Sequence, residues 1–141
     1  MMAIPLHQID AFSARPFGGN PAAVMPLERW LPDATLQRIA AENNLSETAF
    51  FVPDTTADFH LRWFTPAAEV ELCGHATLAT AGWLFRHGGW SGEHIRFRTL
   101  SGELVAARRG SRVEIDLPAR ASEPSDAAAD LIRQALDAAP A

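Results

Sequence analysis

The stretch Gly74-His-Ala-Thr-Leu-Ala-Thr-Ala-Gly-Trp-Leu-Phe-Arg-His87 decides the fold. Its apolar residues Ala76, Leu78, Ala79, Ala81, Trp83, Leu84 and Phe85 cover nearly every face of a helix, and no charge precedes Arg86. A helix that is apolar all round is buried all round. Its many small residues let neighbouring strands approach closely. Gly88-Gly89 then supplies the stop.

The segments around this helix read as strands. Ile4 to Ser13 begins in rough alternation and ends at the turn-rich Arg15-Pro-Phe-Gly-Gly-Asn-Pro21. Ala22 to Met25 is a short return strand, followed by a helix starting at Pro32-Asp33. Leu36, Ile39 and Ala40 give that helix one apolar face, and Asn43-Asn44 stops it, because Asn tolerates the left-handed conformation. Thr48 to Val52, Phe59 to Phe64, Ile95 to Thr99, Glu103 to Ala107 and Arg112 to Leu117 are further strands. Leu131, Ile132, Ala135 and Leu136 suggest a final short helix. Several antiparallel strands around one wholly buried helix imply a curved sheet, because a flat sheet would cover one helical face only. The predicted class is α+β: a curved, mostly antiparallel or mixed sheet wrapped around a central helix. Residues 1–120 form the domain, and 121–141 form a linker or C-terminal helix.

Composition narrows the function. The 141 residues are 48% apolar, enough for a real core, and 21% charged. A net charge of -5 without a basic run argues against a nucleic-acid partner. A single cysteine makes no internal disulfide and fits a reducing compartment. The N-terminus lacks the pattern of a signal peptide, and the longest apolar-rich stretch is too short to span a bilayer. The expectation is a cytoplasmic protein without a membrane partner.

Two segments carry chemistry. Glu47 lies between Ser46 and the apolar run Ala49-Phe50-Phe51-Val52, where partial desolvation would raise a carboxyl pKa toward the range of acid-base work. The plain alternative is a solvated strand-end glutamate. Cys73-Gly74-His75 stands at the mouth of the buried helix. There the helix dipole would lower a capping thiol's pKa, Gly74 would let a ligand approach the backbone, and His75 could hold a carboxylate or shuttle a proton. The plain alternative is a small buried cysteine, a cap-region glycine and a packed histidine. Gly18-Gly19-Asn20-Pro21 offers either a pocket rim of N–H groups or simply a tight hairpin. His7, His60, His87 and His94 lack the spacing of a helical metal site, and one cysteine gives no zinc framework, so no metal is expected.

Four segments together resemble the phenazine-biosynthesis isomerase-like (PhzF-like) family: Phe17-Gly-Gly-Asn-Pro-Ala-Ala-Val24, Asn44-Leu-Ser-Glu-Thr-Ala-Phe50, Arg62-Trp-Phe-Thr-Pro66 and Glu69-Val-Glu-Leu-Cys-Gly-His-Ala-Thr-Leu-Ala79. They occur in the family's order and cover the chain to about Pro118. The resemblance implies the diaminopimelate-epimerase-like fold, with two similar domains and an active site between them. It implies isomerase chemistry on a small carboxylate-bearing metabolite without metal or organic cofactor. Glu47 matches the family's acid-base residue, and Gly74 and His75 match residues at the substrate-binding helix mouth. The implied catalytic set is Glu47, His75 and Cys73; the substrate-binding set is Asn20, Gly74, Ala76 and Thr77. Related epimerases use a cysteine base at the position of Cys73, which keeps a thiol-based racemase or epimerase open.

The chain departs from the family in length. Members are about twice as long, and this sequence stops where a second domain would begin. The resulting expectations are a homodimer or a partner chain supplying the second wall, or else a non-catalytic binding remnant.

Overall fold

The computed structural model describes residues 3–119, 121 and 122. Two helices interrupt a β-rich chain, and each falls between strands that pair in parallel. Strands β1 (His7–Ala11) and β2 (Asn20–Pro26) form an antiparallel pair. Helix α1 (Asp33–Asn43) then crosses to β3 (Thr48–Pro53), parallel to β2. Strand β4 (Phe59–Phe64) returns antiparallel and carries the two-residue β5 (Glu69–Val70) on its edge. Helix α2 (Gly74–Arg86) makes the second crossover, to β6 (His94–Thr99), parallel to β4. Antiparallel β7 (Gly102–Arg109) and β8 (Arg112–Asp116) complete the order β1-β2-β3-β4-β6-β7-β8. Parallel neighbours need a crossover, and both crossovers here contain a helix.

The helices lie on opposite faces of the sheet. Ala49, Phe51, Leu61, Trp63, Ile95 and Phe97 pack with the buried residues of α2 in the larger core. Met25, Phe50 and Phe64 pack with Leu36 and Ala40 of α1 in a smaller one. This double coverage explains why β3 reads as an unbroken apolar run: Thr48 through Val52 are all buried. The sheet curls, because α2 touches β1, β2 and β3 at one end and β7 and β8 at the other.

The curl does not close. Among the described residues no strand joins β8 to β1. A groove of about 790 Å³ remains between Ile9–Ala14 and Ser111–Val113. Its floor is the stripe Leu78, Gly82 and Arg86, spaced four residues apart on α2. The expectation that α2 is covered on every side therefore holds except along this stripe, where Leu78 is half-buried and Arg86 exposed.

Local geometry agrees with the predicted stops. Asn44 is left-handed at φ 51°, and its N–H reaches the Ala40 carbonyl at 3.2 Å. The amides of His87 and Gly88 both donate to Trp83 O, at 2.7 and 2.9 Å, ending α2 before the positive-φ Gly89. Gly19 sits so close to β1 that a Cβ there would collide with the Ala11 carbonyl. Strand β5 is too short for an alternation signal. It is held by a bidentate pair, Arg62 Nε and Nη2 donating to the two Glu69 carboxylate oxygens at 2.7 Å each. The helix expected around Leu131–Leu136 lies outside the described residues.

Candidate active site

Glu47 is placed from both sides. Its carbonyl accepts a bond from Ala23 N–H of β2 at 3.2 Å. The next residue, Thr48, is fully buried, and its hydroxyl accepts from Asn43 Nδ2 at 3.1 Å. Asn43 is the last residue of α1, so the end of that helix and the start of β3 are tied across the turn that carries Glu47. The Glu47 side chain is 20% exposed, leaving one side open to solvent.

Cys73 is the N-cap residue of α2, in extended conformation, and its side chain makes no capping bond. The first intrahelical bond runs from Thr77 N–H to Cys73 O at 3.3 Å. The amides ahead of it, of Gly74, His75 and Ala76, are the leading N–H groups of the helix and have no intrahelical acceptor. They make the helix mouth electropositive.

His75 joins the two segments. One ring nitrogen, Nδ1, lies 3.4 Å from Cys73 Sγ, and the other, Nε2, lies 3.4 Å from Glu47 Oε2. The Nε2 contact is within ion-pair reach but not aligned as a hydrogen bond, so this buried nitrogen has no hydrogen-bond partner. The tautomer with hydrogen on Nε2 suits the thiol, which then donates to Nδ1, and leaves Nε2–H within ion-pair reach of the Glu47 carboxyl group.

The thiol behaves opposite to expectation. Burial pushes Cys73 up to about 11. Amide N–H groups of Ala76 and His75 pull the other way, and the neighbouring Glu47 adds to the rise. Desolvation outweighs the helix dipole here, because the sulfur is buried in the core rather than offered to the solvent at the helix mouth.

The other expected residues fall around this centre unequally. Gly74 faces the β8 end: a Cβ there would meet Leu117 Cδ1 at 3.5 Å and Ile115 Cδ1 at 3.9 Å, ordinary contacts that do not require glycine. Ala76 is fully buried and offers only its amide. Thr77 is fully buried too, and its hydroxyl bonds back to Cys73 O at 2.6 Å, so both of its donors serve the helix. Asn20 opens β2, is exposed, and stands in register with Ala11 at the sheet end from which β3 also starts. Asn43 is the residue that sequence reasoning read only as a helix stop. Its spacing of five from Thr48 was the available signal.

The family model for phenazine biosynthesis-like proteins matches residues 9–139. The chain belongs to this family. An uncharacterized isomerase of Pseudomonas aeruginosa is 54% identical over 123 residues, covering 87% of this chain and 47% of that protein. The crystal structure of a putative phenazine biosynthesis PhzC/PhzF protein from Clostridium difficile superimposes with a TM-score of 0.79 at 42% identity, covering 92% of this chain and 51% of the other. A hydroxyproline epimerase from Agrobacterium vitis shares the fold, with a TM-score of 0.59 at 12% identity over 79% of this chain and 40% of the other. The chain spans about half the length of the curated relatives it matches. No described helix is long and apolar enough to cross a membrane.

Proposed function

We propose that this PhzF-like chain supplies the proton-transferring wall of a cofactor-independent isomerase acting on a small carboxylate-bearing metabolite. The observation that carries the reading is the 3.4 Å approach of His75 Nε2 to Glu47 Oε2 beside the N-terminus of α2. Glu47 removes a proton next to a polarised group and returns it elsewhere on the substrate. His75 orients the carboxyl group and holds charge as the proton moves. The leading amides of α2 hold the substrate's anionic group. Relatives of this chain named as isomerases support the reaction class.

A thiol-based racemase with Cys73 as base is the second reading, favoured by the 3.4 Å contact of Sγ with His75 Nδ1. A thiol pushed up to about 11 is rarely ionised at neutral pH, which weighs against it. Two-base chemistry would also need a group from an opposing wall. In either reading an opposing wall completes the site, and a second copy of this chain is the proposed source. Leu117, 43% exposed, lies beside Gly74 at the helix mouth and offers an opposing wall an apolar contact. If nothing supplies it, the chain is a binding remnant.

The test is incubation of the protein with a panel of small carboxylates in D2O, followed by NMR. Deuterium appearing at carbon next to the polarised group of one compound supports isomerase chemistry. Binding of such compounds without exchange favours the remnant.

A further inference from the structure

Glu47, Cys73 and His75 each offer one ligand atom, and these atoms lie within 4.8 Å of one another. We propose that this cluster is also a binding site for a thiophilic divalent cation of the zinc class, which would occupy the space that substrate needs and so inhibit the protein reversibly.

The donor set is one thiolate, one imidazole and one carboxylate, the mixture that zinc takes in tetrahedral sites. With metal–ligand distances of about 2.0–2.3 Å, tetrahedral ligands sit roughly 3.3–3.7 Å apart. An imidazole gives one nitrogen to one ion, and His75 Nδ1, 3.4 Å from Cys73 Sγ, already matches that spacing; it is also the nitrogen without hydrogen in the Nε2–H tautomer. Closing the rest of the cluster requires a shift of about 1 Å from the ideal separation, and Glu47 is the member free to make it, being 20% exposed. The His75 side chain is only 10% exposed, and the packing that buries it holds Nδ1 beside Cys73 Sγ. Three protein ligands leave the fourth position to water, on the solvent-facing side of Glu47. On binding, the Cys73 S–H bond breaks, a sulfur–metal bond forms, and the proton passes to solvent. Spacing rules in the sequence miss such a site, because Glu47 lies 26 residues before Cys73 and joins it only through folding.

The experiment is titration of the full chain with Co2+ and Zn2+ in reducing buffer without chelators. The expected result is one equivalent of Co2+ giving tetrahedral visible bands and a sulfur-to-cobalt charge-transfer band, which Zn2+ displaces and millimolar Mg2+ does not. Cys73→Ser removes the charge-transfer band, and Glu47→Gln and His75→Asn each weaken Zn2+ binding by more than about tenfold, with folding of each variant checked by circular dichroism. Should a variant unfold, the wild-type protein still decides: one equivalent of Zn2+ should protect Cys73 from alkylation. Absence of the charge-transfer band, or Zn2+ affinity unchanged in a folded Cys73→Ser protein, or no protection of the wild-type thiol, overturns the proposal.

Discussion

Asn43 Nδ2 donates to the Thr48 hydroxyl at 3.1 Å, bridging the last residue of one helix and the first of the strand behind Glu47. The same amide also approaches Met25 Sδ at 3.7 Å. The turn that carries Glu47 is thus tied by a polar contact in which its carboxyl group takes no part.

Asn43→Ala should cost about 1–3 kcal/mol, because it leaves a buried hydroxyl without its donor. Thermal unfolding measures the loss. Amide exchange across residues 45–48 should quicken more than exchange in β6 and β7, and equal protection in both regions would show that Asn43 does not hold this turn.

The Cys73 thiol should react slowly with iodoacetamide at neutral pH. Its rate should climb about tenfold per pH unit and level off only near pH 11, where burial has placed its ionisation. In denaturant the midpoint should fall to the ordinary thiol value of about 8.5. Removing the nearby carboxylate by Glu47→Gln should lower the folded midpoint, yet leave it above ordinary, because desolvation is the larger cause. A folded midpoint at or below about 8.5 would restore the thiolate base.

Gly74→Ala should fold at least as well as wild type, since the added methyl meets Leu117 at an ordinary 3.5 Å and alanine favours a helix. Gly19→Ala should destabilise by about 1–3 kcal/mol, as overpacking does, because its methyl collides with the Ala11 carbonyl. Melting temperatures of the two variants compare them directly. Loss of ligand binding in a stable Gly74→Ala protein would show that a ligand, rather than the fold, requires this glycine.

Much of this was legible in sequence because the signals were local. The unbroken apolar cover of Gly74–Arg86 announced a helix inside a curved sheet, and Asn44 announced the left-handed stop. What escaped depended on distance through space. No periodicity says that the sheet leaves a seam over Leu78, Gly82 and Arg86. The direction of the Cys73 shift depended on how deeply the sulfur is buried, which a helix-cap position does not reveal. That one domain could bring the Glu47 and His75 segments together was legible from their spacing, but no local pattern dictates the contact of the two side chains, 28 positions apart.

If a second copy supplies the opposing wall as proposed, the protein is a homodimer in solution, with Glu47 and the Cys73–His75 segment near its interface. Phe12 and Phe17, 75% and 102% exposed, add apolar surface on the β1–β2 connection. Sedimentation at micromolar concentration checks this. A stable monomer would contradict the second copy as the source of the opposing wall.

The most direct measurement is the rate at which Glu47→Gln protein exchanges deuterium into a substrate that the wild type exchanges. Losing the proton-transferring group should slow exchange by about 10²–10⁴-fold, while ligand affinity and melting temperature stay near wild type. Exchange at the wild-type rate in the Glu47→Gln protein would contradict the assignment of Glu47 as the proton shuttle.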